Sequence, residues 1–329
     1  MLPSCSVNAA RTKRIAAAAL VALLGFAAAC SDNPSKDSAP VSAPVDGVNV
    51  QLVSPGADPT EPLVWFASDG EQSVTFSATK GLAQRTESSG PGSGSSSENS
   101  SASPEPSNGP QAPGVDAVPY QETTMLLPLT ASVDSDGKTR TTKVTVGTPT
   151  GNNEQRNADI ATAKGFVMTT QSTVDGRPQT RSFAAPESAS TSARAGVEES
   201  LTQMNQLPLV FPAEPVGRGA QWKVSSRVDD GVSMQQTTTY TLLERQGSTV
   251  TLDVDIQRKP AVASLPGTDL EVQDVHSSSS GQVTLDLTRA LPTQGHITVT
   301  TDVTYGKQGS PTRVVQTSTG KSQWQPTRP

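Results

Sequence analysis

Val250-Thr251-Leu252-Asp253-Val254-Asp255-Ile256-Gln257 alternates apolar and polar side chains without a break. Successive side chains of a strand point to opposite faces, so Val250, Leu252, Val254 and Ile256 share one side and their polar neighbours the other. One face in a core and one in water is the habit of an antiparallel sheet, not of a parallel sheet buried on both sides. The same period recurs in Met125, Leu127, Leu129, Ala131 and Val133, in Trp222, Val224 and Val228, and in Val283, Leu285 and Leu287. It returns in Ile297, Val299, Val303 and Tyr305, with Thr298, Thr300, Asp302 and Thr304 opposite. Asp-Gly pairs at Asp69-Gly70, Asp136-Gly137, Asp175-Gly176 and Asp230-Gly231, with Gln246-Gly247, fall beside these stretches and suit tight hairpin turns. From Trp222 onward the pattern predicts a meander of about six strands.

One segment changes period. Ala193, Val197, Leu201 and Met204 follow spacings of four, four and three, a single helical stripe between Ser192 and Leu207 that Pro208 ends. A weaker helical pattern runs from Asn153 to Lys164. A one-striped helix must cover an apolar surface, and the open face of the sheet is the available one. The expected fold is α+β, mainly β: a curved antiparallel sheet, half-barrel-like, with one or two helices over its apolar face. A two-sheet β-sandwich is the alternative.

The N-terminus reads as an address. Arg11, Lys13 and Arg14 precede the apolar run Ile15–Ala29, which ends Ala27-Ala28-Ala29-Cys30. A basic stretch, a short apolar run and a small-residue site form a secretory signal. Fifteen helical residues span about 22 Å, short of the ~30 Å core of a bilayer, which disfavours a permanent transmembrane helix. The ending resembles a bacterial lipobox, with cleavage after Ala29 and a diacylglyceryl group on Cys30, although Ala27 stands where Leu is usual. Two acyl chains suffice for stable attachment, so the expectation is a lipid-anchored protein on the extracytoplasmic face of the cell membrane. Residues 1–29 are then a leader, 30–47 a flexible tether, and 48–329 one β-rich domain. Within it, the Ser/Pro/Gly-rich stretch 86–119 reads as a disordered insert.

Composition narrows the function classes. The chain has 25 Lys and Arg against 31 Asp and Glu, for a net charge of −6, and loss of the leader removes three of the basic residues. That balance gives no electrostatic case for binding nucleic acid. Cys5 lies in the leader and Cys30 at the anchor, so the domain has no disulfide and no cysteine metal ligand. No cofactor is expected. His276 opens a serine run that reads as a loop, and His296 follows Gly295; with only these two histidines and no Gly-x-Ser-x-Gly elbow, no nucleophile–base pair emerges.

The most distinctive string is Phe211-Pro212-Ala213-Glu214-Pro215-Val216-Gly217-Arg218-Gly219-Ala220-Gln221-Trp222. It reads either as a packed helix-to-strand connection or as a ligand-contacting loop beneath a tryptophan. With the leader and with Pro62-Leu63-Val64-Trp65-Phe66, it resembles an uncharacterised family of actinobacterial lipoproteins carrying an EPVG-x-G-x-W stretch before a run of strands. That resemblance implies no catalytic residues. At the level of fold alone, the sheet-and-helix plan is similar to the half-barrel lipid carriers of bacterial envelopes.

The leading expectation is a non-enzymatic binding module that encloses an apolar ligand, such as a lipid, between sheet and helix. Phe211, Trp222, Val197, Leu201 and Met204 are the candidates for lining that ligand or the core. The alternatives are a structural or protein-interaction module with an envelope partner and, more remotely, a hydrolase using a carboxylate such as Glu214.

Overall fold

A computed structural model of the chain describes residues 42–66, 70–88, 117–229, 233–264 and 268–327. Ala29, Cys30, Asp69 and the Asp230-Gly231 turn lie outside the described residues, as do 89–116 of the expected insert. The strands are β1 (Ala43–Pro44), β2 (Asn49–Ser54), β3 (Ala57–Glu61), β4 (Gln72–Ser88), β5 (Val118–Ser135), β6 (Thr139–Val146), β7 (Thr150–Gly151), β8 (Val167–Thr173) and β9 (Pro178–Ala184). They continue as β10 (Val216–Arg218), β11 (Gln221–Asp229), β12 (Ser233–Gln246), β13 (Thr249–Pro260), β14 (Glu271–Asp286), β15 (Gln294–Gly306) and β16 (Thr312–Pro326). Two α-helices appear among the described residues, the four-residue α1 (Asn157–Ile160), flanked by 3-10 turns, and α2 (Thr191–Met204).

Fourteen strands form one curved antiparallel sheet in the order β1-β9-β8-β6-β5-β4-β16-β15-β14-β13-β12-β11-β2, with β7 added beside β5. It does not close into a barrel, and it is not a sandwich; β3 and β10 make a separate two-stranded ladder. Its two margins are nevertheless tied by one stretch of chain. Ala43 and Pro44 pair with β9 at Arg181 and Thr180, and Asn49–Ser54 pairs with β11, so residues 45–48 pass from one margin to the other.

The expected meander is present as β11 through β16, and the alternating residues behave as their period requires. Val250, Leu252, Val254 and Ile256 are buried, as are Leu127, Leu129, Ala131, Val283, Leu285, Ile297 and Val299. Gly137, Gly176 and Gly247 adopt positive φ at the hairpin turns. α2 lies against the apolar face, contacting β4, β5 and β16, with Ala193, Val197 and Leu201 in the main core and Ser190 Oγ capping the N–H of Ala193 at 3.1 Å.

Three boundaries differ from expectation. Thr86–Ser88 extend β4 and Val118–Pro119 begin β5, so these residues at the two ends of the expected insert are strand. The β16 backbone pairs residues 86–88 with Val314, Arg313 and Thr312, and a backbone ladder does not require apolar side chains. Ala43–Pro44 is a strand rather than tether, with Pro44 on the edge, where its missing N–H is tolerated. His276-Ser277-Ser278-Ser279-Ser280 is not a loop but the middle of β14. The β13–β14 ladder stops at Asp253–Gln282; beyond it, Ser279 Oγ accepts the N–H of Ile256 at 2.6 Å and Ser277 Oγ that of Arg258 at 3.1 Å. The serine hydroxyls thus stand in for backbone carbonyls.

Candidate functional site

The main core is closed by a row of aromatic rings. Tyr240 stacks on Trp222 at 5.4 Å between centroids, Trp222 meets Phe211 edge-on at 6.3 Å, and Phe211 lies 5.4 Å from Trp65. Two of these rings also bind the chain that follows α2: Trp222 Nε1 donates to the Val210 carbonyl at 2.9 Å and the Tyr240 hydroxyl to the Pro208 carbonyl at 2.8 Å. Burial without a charge partner raises the Tyr240 pKa well above 10.0. The string 211–222 is therefore a packed connection. Gly217 is needed there because a Cβ would lie 1.9 Å from the Ala57 carbonyl oxygen of the neighbouring ladder.

Beyond the last turn of α2 the packing opens into a cavity of about 290 Å³. β6 supplies Arg140, Thr142 and Val144, and β8 supplies Met168, Thr170 and Ser172, in each case every second residue. β9 contributes Pro178 and Arg181, β11 the end from Ser226 to Asp229, and α2 with its following loop Thr202 and residues 204–209. Val45, Asp46 and Val48 of the segment between the margins, with Ala290, Leu291, Pro292, Trp65 and Trp324, complete the wall. Its volume sits at the lower edge of the ~300–1,000 Å³ usual for small-molecule sites.

Of the residues singled out from sequence, Met204 lines this cavity. Val197, Leu201, Phe211 and Trp222 do not: all four are fully buried in the core. The helix seals against the sheet along its length, and the space lies past its end. Gln203 and Gln206 fix that end. Gln203 Nε2 donates to the Lys321 carbonyl at 2.9 Å, and Gln206 Oε1 accepts from Arg258 Nη2 at 3.0 Å.

The sequence reading passed over Arg140. It sits in β6 in phase with Val144 and Val146, and that phase was its signal. Only 6% of its surface is exposed. Its Nη2 donates to the Arg289 carbonyl at 2.6 Å and its guanidinium carbon lies 4.6 Å from the centre of the Trp65 ring, which extends the aromatic row to the cavity wall. Desolvation lowers its pKa to about 10, so it remains charged at neutral pH.

The histidines stand apart from this site. His276 and His296 are exposed on β14 and β15; His296 pairs with Gln282, six positions along β14 from His276, or about 20 Å away. Glu214 is exposed as well. Among the described residues, no group of three His, Cys, Asp or Glu side chains is placed to hold a metal ion, and no helix is long and apolar enough to cross a membrane.

A model of a family of unknown function (DUF6263) matches residues 191–292. The match begins with α2, takes in β10 to β14 and reaches Pro292 in the cavity wall, leaving β6, β8 and β9 outside. None of the curated proteins matches the chain.

Proposed function

We propose that the chain is a non-enzymatic binding module of the cell envelope that holds an apolar or amphiphilic ligand, such as a lipid, in the cavity past the end of α2. The observation that carries this reading is the cavity itself. Its wall joins Val45, Val48, Val144, Met168, Met204 and Leu209 to polar and charged side chains such as Arg140, Thr170, Ser172 and Arg181, a mixture that suits an amphiphile. In this reading Ala29 precedes the cleavage point, Cys30 carries the diacylglyceryl anchor, and the following tether lets the domain stand off the bilayer surface.

Native mass spectrometry of protein purified from its own host is the test. The expected result is a co-purifying amphiphile. Leu209→Trp, which fills the cavity from a half-buried loop position, should strip that ligand and block uptake of the neutral apolar fluorophore N-phenyl-1-naphthylamine. A protein of bare polypeptide mass that also fails to take up the fluorophore refutes the reading.

A further inference from the structure

We propose that the cavity selects its ligand by an anionic head, a carboxylate or phosphate gripped by Arg140 with Arg181 beside it, while an apolar tail runs along Val144, Met168 and Met204. This inference rests on the binding reading above and goes further by naming the ligand's charge.

Strand register brings the two arginines together. Arg140 of β6 pairs with Ser172 of β8, and Arg181 of β9 pairs with Thr170, two residues away on the same face of β8. Two strand spacings across and two residues along place their Cα atoms about 12 Å apart, within reach of two long side chains converging on one group. Both residues line the cavity. Arg181 Nε makes only a long hydrogen bond, 3.4 Å to Thr170 Oγ1. Among the described residues neither arginine is within ion-pair distance of a carboxylate. The two wall aspartates, Asp46 and Asp229, are exposed and leave the guanidinium groups uncompensated.

A buried charge normally carries its counter-ion and fills its donor positions, because desolvation is costly otherwise. Arg140 Nε meets no acceptor, and two further wall residues, Ser226 and Trp324, also have buried polar atoms, Oγ and Nε1, without a partner. Desolvation depresses the pKa of Arg181 as it does that of Arg140. An anionic head would offset both charges, and a planar guanidinium suits the two-oxygen edge of a carboxylate or phosphate. A neutral head would leave the charges as they are, and a cationic one would be repelled.

The experiment compares dodecanoate, dodecyl phosphate, dodecanol, dodecyltrimethylammonium and inorganic phosphate as competitors of N-phenyl-1-naphthylamine on the full-length protein. The two anionic amphiphiles are expected to bind about tenfold or more tighter than dodecanol, and dodecyltrimethylammonium weakest. Arg140→Gln, or Arg181→Gln should the first fail to fold, is expected to bring the anions to within about threefold of dodecanol measured on the same variant. Equal affinity for dodecanol and dodecanoate in the wild type, which needs no variant, overturns the proposal. A chain that takes up neither the fluorophore nor any amphiphile overturns the binding reading and this proposal with it. Inorganic phosphate competing as well as dodecyl phosphate would keep the arginine site and overturn the apolar tail.

Discussion

Trp222 and Trp324 are both buried in the same core, yet replacing each by Phe should have unequal cost. Trp222 Nε1 is the donor to the Val210 carbonyl at 2.9 Å, whereas Trp324 Nε1 has no partner among the described residues. Losing the outer ring of an indole leaves on the order of 40 Å³ unfilled, about 1 kcal/mol at ~24 cal/mol per Å³. The lost apolar burial adds about 1 kcal/mol more at ~0.8 kcal/mol per CH₂ equivalent. Trp222→Phe carries that cost of about 2 kcal/mol in full, and Trp324→Phe at most as much, because Trp324 already borders the cavity. Only Trp222→Phe also deprives a buried carbonyl of its donor, which adds about 1–3 kcal/mol. Its total should therefore reach about 3–5 kcal/mol.

Urea unfolding of wild type and the two variants, followed by far-UV circular dichroism, measures the difference directly, provided the slope with urea is unchanged between them. Trp324→Phe losing as much stability as Trp222→Phe would refute the reasoning. It would mean that the Val210 bond contributes nothing, leaving the segment after α2 to its packing and to the Tyr240 bond to Pro208.

Gly176→Ala should unfold the domain at far lower urea than Gly247→Ala: both glycines have positive φ, but a Cβ at 176 would lie 2.2 Å from the Leu209 carbonyl oxygen, while one at 247 meets nothing within 4 Å; equal shifts in the urea midpoint would show that backbone strain alone governs both. Tyr240 has its pKa raised above 10.0 by burial, so its contribution to stability is complete below pH 10 and is lost as the pH climbs from there toward the folded-state pKa. Tyr240→Phe should accordingly lose less stability than wild type between neutral pH and pH 11, read from the urea midpoints of both; equal losses would refute it. Cys30→Ala should release the protein from the membrane fraction; full retention on fractionation would mean that the apolar leader itself stays in the bilayer.

β5 and the meander from β11 onward were plain in the sequence because stretches such as Val250–Ile256 alternate apolar and polar residues, whereas β4 and β6 went unread although Val74, Phe76, Val144 and Val146 are buried in the core. α2 was plain because one helix with one apolar stripe leaves a single reading. β8 and β9 were not recognised as strands, and the reason is physical. The inward residues Thr170 and Ser172 of β8 and Arg181 of β9 face the cavity rather than the core, so their stretches carry no apolar alternation. A strand that lines a polar space looks like a loop to a method that searches for buried side chains. The same blindness applied to the serine run of β14, where hydroxyls replace carbonyls in the pairing. Met204 was legible from the helical stripe, and Arg140 carried a signal that went unread, a charge in phase with Val144 and Val146.

The place of the cavity follows from what α2 covers. α2 has 14 residues, spans about 21 Å and packs chiefly on β4, β5 and β16, whereas the cavity is walled by β6, β8, β9 and the end of β11. At its C-terminal end Gln203, Gln206 and Arg258 tie it down with polar contacts, and the uncovered face must be finished by irregular chain: residues 205–209, 290–292 and 45–48. Pro208 and Pro292 restrict two of these segments, so they bridge the gap without the close side-chain packing of a helix. What they leave is a space walled by apolar residues such as Val144, Met168 and Met204 together with polar strand residues such as Arg140, Thr170 and Arg181. The sheet margins meet there, so the same stretch 45–48 that ties β9 to β11 also walls the cavity. A binding site at that point costs the core little, because the fully buried Val197, Leu201, Trp222 and Tyr240 lie outside its wall.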